Sequence, residues 1–385
     1  MKGSATGNLD MIKKLNRSLV LEMIREHEEV TRAQIANTLN ISRSTVSTIV
    51  DELIQKKLVT EHGPGTSTKL GGRKGIVLRF NPKSAFGIGV DIGGTKVLVL
   101  ITTLDGEVVY KKKFKTSASV EEILSIIETS IEEAAIIKND IVAMGVGVPS
   151  IVEEQSGVVL DAYALGWTNL PLKQILEERF SFPIFINNDV NFAAVGEAWM
   201  GSGEQSEDVL FIAIGTGVGS AIISNGKLLR GAHNQAGEIA YSVSEEDVKS
   251  HNYNEKGKFG TFERKTSGKF LSHNELSAAE VFSKYLEGDE DAQETVETFI
   301  RHLSIQIANS VSLLNPEYVV LGGGVSESLK EIIPRIQEAV ELYTPIPTTI
   351  KLATLGGEAG SYGAIAYAFK EIEMADIKDK ILTDL

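Results

Sequence analysis

The sequence predicts an α/β protein in which a winged helix-turn-helix head precedes a two-lobed body. Three observations carry that prediction. Residues Thr31 to Lys57 hold two capped helical stretches joined by a short turn, and three apolar strands each run into a glycine turn, at 91–96, 214–220 and 322–326. Charge is the third: the net charge is −14 over 385 residues, yet residues 1–80 carry 13 Lys and Arg against 8 Asp and Glu, and the remainder 25 against 44. A basic head on an acidic body suits a DNA-binding module joined to a part that does not itself hold DNA.

Within the head, Leu15, Leu19, Val20, Met23 and Ile24 recur at helical spacing and predict a first amphipathic helix. Thr31 and Gln34 form a capping-box pair for a short helix through Ile35, Ala36 and Leu39, and Asn40-Ile41 form the turn. Ser42 caps a third helix with Val46, Ile49, Val50, Leu53 and Ile54 on one stripe. Its other face, Arg43, Ser44, Ser47, Thr48 and Asp51 with Thr45 at the edge, offers short hydroxyls and one guanidinium, the groups that, with the Ser42 cap, reach base edges and phosphates from the major groove. Arg32 at the start of the second helix joins that DNA-binding set. Glycine-rich runs at 63–65 and 71–75 then separate two strands, the second Ile76 to Phe80, as in a wing whose tip carries Arg73 and Lys74 to DNA. A winged helix of this type works on a two-fold operator, which predicts a homodimer or higher homo-oligomer.

The length suits two or three folding units, which we divide as 1–80 and 85–385. Absence of cysteine excludes disulfides and thiolate metal sites. No apolar run is long enough to span a membrane and the N-terminus is polar, so a cytoplasmic location is expected.

In the body, Phe86 to Val90, Val97 to Thr102 and Val108 to Lys113 read as an antiparallel meander, followed by a helix over 120–137 and a strand from Ile141 to Val146. The turn Asp91-Ile92-Gly93-Gly94-Thr95-Lys96 lies between two strands, unlike a Walker loop. Its glycines let N–H groups approach an anion, Thr95 and Lys96 add a hydroxyl and a charge, and Asp91 suits a metal ion beside phosphate. Gly215, Thr216 and Gly217 repeat the pattern after Val209 to Ala213, as do Gly323 and Gly324 after Tyr318 to Leu321. Three such units in series point to a nucleotide cleft.

On these turns, together with Asn187-Asn188-Asp189-Val190-Asn191, Ala236-Gly237-Glu238-Ile239 and the glycines near 356, residues 85 to about 370 resemble the ROK family of repressors, open reading frames and sugar kinases. The winged helix makes the chain similar to its branch of xylose repressors, N-acetylglucosamine repressors and Mlc-like regulators. The resemblance implies a two-lobed actin-like ATPase fold of the ribonuclease H type. It also implies that Asp189 is the general base of a kinase, and that Asn188, Asp189, Glu238 and Glu263 bind sugar hydroxyls.

Departures from the family pattern fall on the sugar side. The family places zinc there, held by a histidine and three cysteines. Here the histidine position is Tyr241, two cysteine positions are Lys256 and Thr261, and His233 and His251 do not complete a site, so no zinc is expected. Ala164 stands where an asparagine binds a sugar hydroxyl, and Trp167 is read either as a stacking surface or as core. The resulting expectation is a sugar-responsive repressor of carbohydrate-use genes whose partners are operator DNA and a sugar effector, with no cofactor required. An ATP- and Mg2+-dependent hexose or N-acetylhexosamine kinase is the alternative, and a dimerisation scaffold a third reading.

Overall fold

The structure, a computed structural model, describes residues 4–27, 29–64, 75–153, 155–204, 206–255, 258–272 and 276–372. In the head, α1 (Ser4–Glu26) leads to β1 (Val30–Thr31) and α2 (Arg32–Leu39). The predicted capping box forms: Gln34 N–H donates to Thr31 Oγ1 at 3.4 Å, and Thr31 N–H to Gln34 Oε1 at 2.9 Å. Asn40, at φ +52, ends α2 in the left-handed region and turns the chain toward Ser42, the cap of α3 (Arg43–Gln55). Val46, Ile49, Val50 and Leu53 of α3 are buried. The wing is β2 (Val59–Pro64) paired antiparallel with β3 (Ile76–Phe80), and β1 adds to the other edge of β3. Its tip, with Arg73 and Lys74, lies outside the described residues.

The expected stripe of α1 needs correcting. Val20, Met23 and Ile24 are buried with Leu21, but Leu15 is 58% and Leu19 36% exposed. The core beneath α1 begins at Val20, and the earlier turns run past it.

A single 3-10 turn, Pro82–Ser84, joins β3 to β4 (Phe86–Ile92), which forms the predicted meander with β5 (Lys96–Thr103) and β6 (Val108–Lys115). The next helix, α4 (Val120–Glu133), stops short of the expected residue 137. Its buried stripe ends at Ile131, and Ala135 takes φ +52. β7 (Ile141–Val148) follows, then a small antiparallel sheet of β8 (Val152–Glu153), β9 (Val158–Ala162) and β10 (Trp167–Leu170). α5 (Leu172–Arg179) leads to β11 (Ile184–Asn188) and α6 (Asp189–Met200). The first large sheet has the order β11-β7-β4-β5-β6, with β11 and β7 parallel to β4.

The second sheet repeats that plan. β12 (Val209–Ile214), β13 (Val218–Ser224) and β14 (Lys227–Leu228) make an antiparallel meander, and β15 (Tyr318–Gly322) and β16 (Thr349–Leu352) add parallel strands beside β12. The order β14-β13-β12-β15-β16 mirrors the first sheet, which is the two-lobed architecture expected from the repeated strand-glycine units. Between these strands come the short α7 (Glu245–Lys249), α8 (Glu263–Thr266) and α9 (Gly268–Leu271), then α10 (Ala278–Glu287), α11 (Glu290–Leu314) and α12 (Ile333–Tyr343). Phe299, Leu303 and Ile307 of α11 pack with Ile212 and Val319 to form the second lobe's core.

The last helix, α13 (Ala359–Glu371), crosses α6 at backbone contact. A methyl group at Gly363 would overlap the Phe192 carbonyl oxygen, and one at Gly196 the Ala359 carbonyl oxygen. Toward its C-terminus α13 places Ala368 and Phe369 in a continuous apolar core with Leu100 and Leu104 of the body and Val20, Leu58 and Leu78 of the head. Leu104 N–H also donates to Pro82 O at 3.1 Å, which fixes the connecting turn. No helix among the described residues is long and apolar enough to cross a membrane.

Candidate functional site

Two strand ends bring two carboxyls to the cleft floor. β4 carries Asp91 near its C-terminal end. β11 runs on to Asn188, whose Oδ1 accepts Val190 N–H at 2.9 Å and Asn191 N–H at 3.2 Å, so α6 starts at once with Asp189. This is a strand-to-helix junction. Gly147 of β7 lies between the acids: a Cβ on it would stand 3.6 Å from both Asp91 Oδ1 and the Asp189 Cα. Burial raises Asp91 to about 6, opposed by Lys96. Burial and then the neighbouring Asp91 raise Asp189 to about 7.

Three of the predicted phosphate residues, Asp91, Lys96 and Gly323, line one cavity of about 160 Å³ together with Asp189, Gly356, Gly357 and Gly360, and Gly93, Gly94 and Thr95 do not line it. Only Gly93, Gly94 and Thr95 lie outside strands in the first turn, and Gly93 N–H closes it on Lys96 O at 2.9 Å. Lys96 reaches across to the glycines near 356, where a Cβ on Gly357 would meet its Nζ at 3.1 Å. A carboxylate, an ammonium and side-chain-free backbone around one cavity fit a metal-bound phosphate group. Gly324 adjoins Gly323 and is open to solvent. Gly215, Thr216 and Gly217 do not line this cavity. That turn lies against Glu263, whose Oε1 a Cβ on Gly217 would overlap, and Gly215 O accepts Gly268 N–H at 2.7 Å.

Among the residues expected to bind sugar, Glu263 is tied down, since Oε1 accepts Val218 N–H at 2.9 Å and Oε2 accepts Gly260 N–H at 3.0 Å. The Glu238 carboxyl instead accepts no hydrogen bond among the described residues. Its carboxyl opens to solvent, yet the protein around it and then Glu263 push it above its ordinary range. Asn188 has its amide nitrogen on Ser150 O at 3.2 Å and its oxygen on the helix cap, so both ends already hold the junction together. Burial, then Glu238 and Glu263, raise the Tyr241 phenol.

The residues here do not fit zinc. Thr261 Oγ1 donates to Ser242 O at 2.5 Å, Lys256 lies outside the described residues, and His251 Nδ1 sits 3.3 Å from the Tyr253 hydroxyl. No group of three or more histidines and carboxylates suited to a metal occurs among the described residues. Ala164 presents its methyl 3.2 Å from where a Gly94 Cβ would stand. Trp167 is core, 6% exposed with Nε1 donating to Ala118 O at 2.8 Å.

Sequence reasoning missed Glu197, which is fully buried on α6 and accepts from Ser202 N–H, Thr354 N–H and Leu355 N–H at 2.9, 3.1 and 2.8 Å. The available signal was a lone charge in the small-residue run Ala193-Ala194-Val195-Gly196-Glu197-Ala198.

In the head, Ser42, Arg43, Ser44 and Thr48 are exposed, with Thr45 and Ser47 partly so. The Ser42 hydroxyl caps α3 by accepting Thr45 N–H at 3.1 Å, and Thr48 Oγ1 donates to Ser44 O at 3.1 Å. Arg43 makes no ion pair among the described residues. Arg32 differs: its guanidinium lies 2.7 Å from Asp51 Oδ1 on α3 and 2.6 Å from Glu61 Oε1 on the wing. It braces the reading helix against the wing in this structure.

The MarR family profile matches residues 14–66. The chain is 29% identical to a xylose repressor of Caldicellulosiruptor bescii, over 95% of this chain and 98% of that protein. It is 33% identical to a glucokinase of Halalkalibacterium halodurans, over 72% of this chain and 92% of that one. Among solved structures, a ROK family transcriptional regulator described as a homologue of the Escherichia coli MLC protein superposes with a TM-score of 0.79 at 20% identity, covering 97% of this chain and 99% of that chain, which shows the same fold from head to body. The ROK family profile matches residues 87–371, and the chain belongs to that family.

Proposed function

We propose that the protein is a sugar-responsive transcriptional repressor of carbohydrate-use genes. The observation that carries this reading is the joining, in one chain, of a capped helix presenting an unpaired Arg43 with a cleft whose Glu238 carboxyl has no partner of its own. Residues 1–80 read operator DNA as a homodimer in the cytoplasm, and residues 85–385 take a sugar between the lobes, at Asp189 and Glu238. The sugar must bind two lobe arrangements unequally to alter DNA affinity. The test uses the purified full-length chain and the DNA upstream of its own gene, titrated with xylose, glucose and N-acetylglucosamine. A shift in DNA affinity with one sugar supports the reading, and none with any carbohydrate tried sinks it.

One observation favours a second reading, an ATP-dependent sugar kinase. Asp91, Lys96 and Asp189 border one cavity, and Asp189 stands at about 7, the range a general base uses at neutral pH. In that reading Asp91 would hold Mg2+ beside the phosphates, where it would supply neutralising charge. ADP release over a sugar panel, lost in Asp189→Asn, would establish it.

A further inference from the structure

We infer that the phosphate surface continues out of the cavity along one face of β6, through Lys96, Lys115 and Lys113, and that it takes a linear chain of phosphates. This site is separate from the proposed sugar site and does not depend on which reading of the cleft holds.

The register of the first sheet builds the row. β6 is the edge strand beside β5, and Lys96 pairs with Lys115, Leu98 with Lys113 and Leu100 with Lys111. Residues directly opposite share a face, as do residues two apart along a strand, so Lys96, Lys111, Lys113 and Lys115 stand on one side of the sheet. The other side carries Val97, Val99 and Phe114 toward α4, where Lys112 meets Glu133 at 2.8 Å. The lysine face borders the cavity, since Lys96 lines it and Lys111 Nζ lies 2.9 Å from Oε1 of Glu358, next to Gly357. Lys96, Lys113 and Lys115 are exposed and make no ion pair among the described residues.

Lysines on an edge strand ordinarily keep other strands from pairing with it. That role does not ask for Lys115 opposite Lys96, where two like charges face each other at a cost. An anion between them removes the cost. The adjoining turn offers further donors, because Gly94 N–H and Thr95 N–H have no acceptor among the described residues. Thr116 braces that turn against the end of β6, its Oγ1 donating to Gly93 O at 2.7 Å and its N–H to Thr95 O at 3.1 Å. One phosphate satisfies Lys96 and these N–H groups. Lys113 lies about 7 Å beyond Lys115 along the strand, so an anion that meets it as well is extended, with charge repeated along its length. The row has no aromatic face on which a base could stack, since Tyr110 and Phe114 pack into the core beneath α4, and this separates the ligand from single-stranded nucleic acid.

Calorimetric titration of the full chain without sugar compares orthophosphate, triphosphate and medium-chain linear polyphosphate at equal total phosphate. Polyphosphate should bind about tenfold tighter than triphosphate. That gain should fall toward one in the double variant Lys113→Gln/Lys115→Gln, with triphosphate affinity kept within about twofold, and persist in Lys113→Arg/Lys115→Arg. All four changes lie on the surface, and matching melting temperatures verify the fold. Arg43→Ala, in the basic head, should leave the gain intact. Polyphosphate no tighter than triphosphate, a gain that survives the double glutamine variant, or a gain lost in Arg43→Ala instead, overturns the row and leaves the cavity standing. Random-sequence duplex DNA that loses affinity in the glutamine variant as polyphosphate does assigns these lysines to nucleic acid and overturns the phosphate chain. No binding by any phosphate probe overturns row and cavity together.

Discussion

Glu197 Oε1 accepts the Leu355 N–H at 2.8 Å, so the helix that starts at Asp189 is tied near its other end to the turn bordering the cavity. The carboxylate is fully buried and accepts donors from two chain segments. Removing it leaves those N–H groups without an acceptor, each a costly loss in the interior. Glu197→Ala should lower stability by about 3 kcal/mol in urea unfolding, and Glu197→Gln by roughly half of that. A loss below about 1 kcal/mol would show that water replaces the carboxylate.

Asp189 gives a pH dependence of unusual sign. Its value is about 7 in the fold against 3.8 as a free side chain, so the folded protein binds this proton more tightly than the unfolded chain. Stability from this group is therefore full below about pH 4 and is lost as pH rises toward 7. Asp91, at about 6, acts in the same direction. Asp189→Asn should gain on the wild type as pH rises, reaching about 1–3 kcal/mol at pH 8, and the gap should close toward pH 4. Unfolding curves at pH 4, 6 and 8 check this, and a gap independent of pH counts against it.

Arg32 and Arg43 lie on the same head but should fail differently. Arg43 is free, so Arg43→Ala should flatten the salt dependence of binding to duplex DNA by about one unit of slope. Arg32 is held by Asp51 and Glu61, and Arg32→Ala should instead lower stability by about 1 kcal/mol. Random-sequence duplex suffices for the first measurement, and equal salt slopes for Arg43→Ala and wild type would argue against phosphate contact.

Two glycines of one chain separate packing from flexibility. A methyl at Gly363 collides with the Phe192 carbonyl oxygen, whereas at Gly324 nothing stands within 4 Å. Gly363→Ala should destabilise by about 3 kcal/mol or more because backbone must move, and Gly324→Ala should stay within about 0.5 kcal/mol. Thermal melts of the pair decide it.

Legibility in the sequence followed how local each feature is. The head was readable because capping box, left-handed Asn40 and buried stripe each depend on residues a few positions apart. The meander and the repeated glycine turns were readable for the same reason. Of the cavity partners, Asp91 was read from its glycine turn and Asp189 came through family likeness, and their mutual effect depends on β4, β7 and β11 lying side by side. Glu197 and the bracing of Arg32 were missed because their partners lie 158 and 29 residues away, as Leu355 and Glu61. Leu15 and Leu19 keep perfect helical spacing but extend beyond the core they were assigned to.

The apolar core that holds Val20 and Leu78 of the head also holds Leu104 and Phe369 of the body. Heat should therefore melt reader and sensor together, in one calorimetric transition whose enthalpy matches its van't Hoff value. Substitutions at Val20 and Phe369 should be non-additive in the same experiment, since both open a single interior. A loosely tethered reader would melt alone and keep its DNA contacts whatever the cleft contained; this one has no separate interior to retreat to.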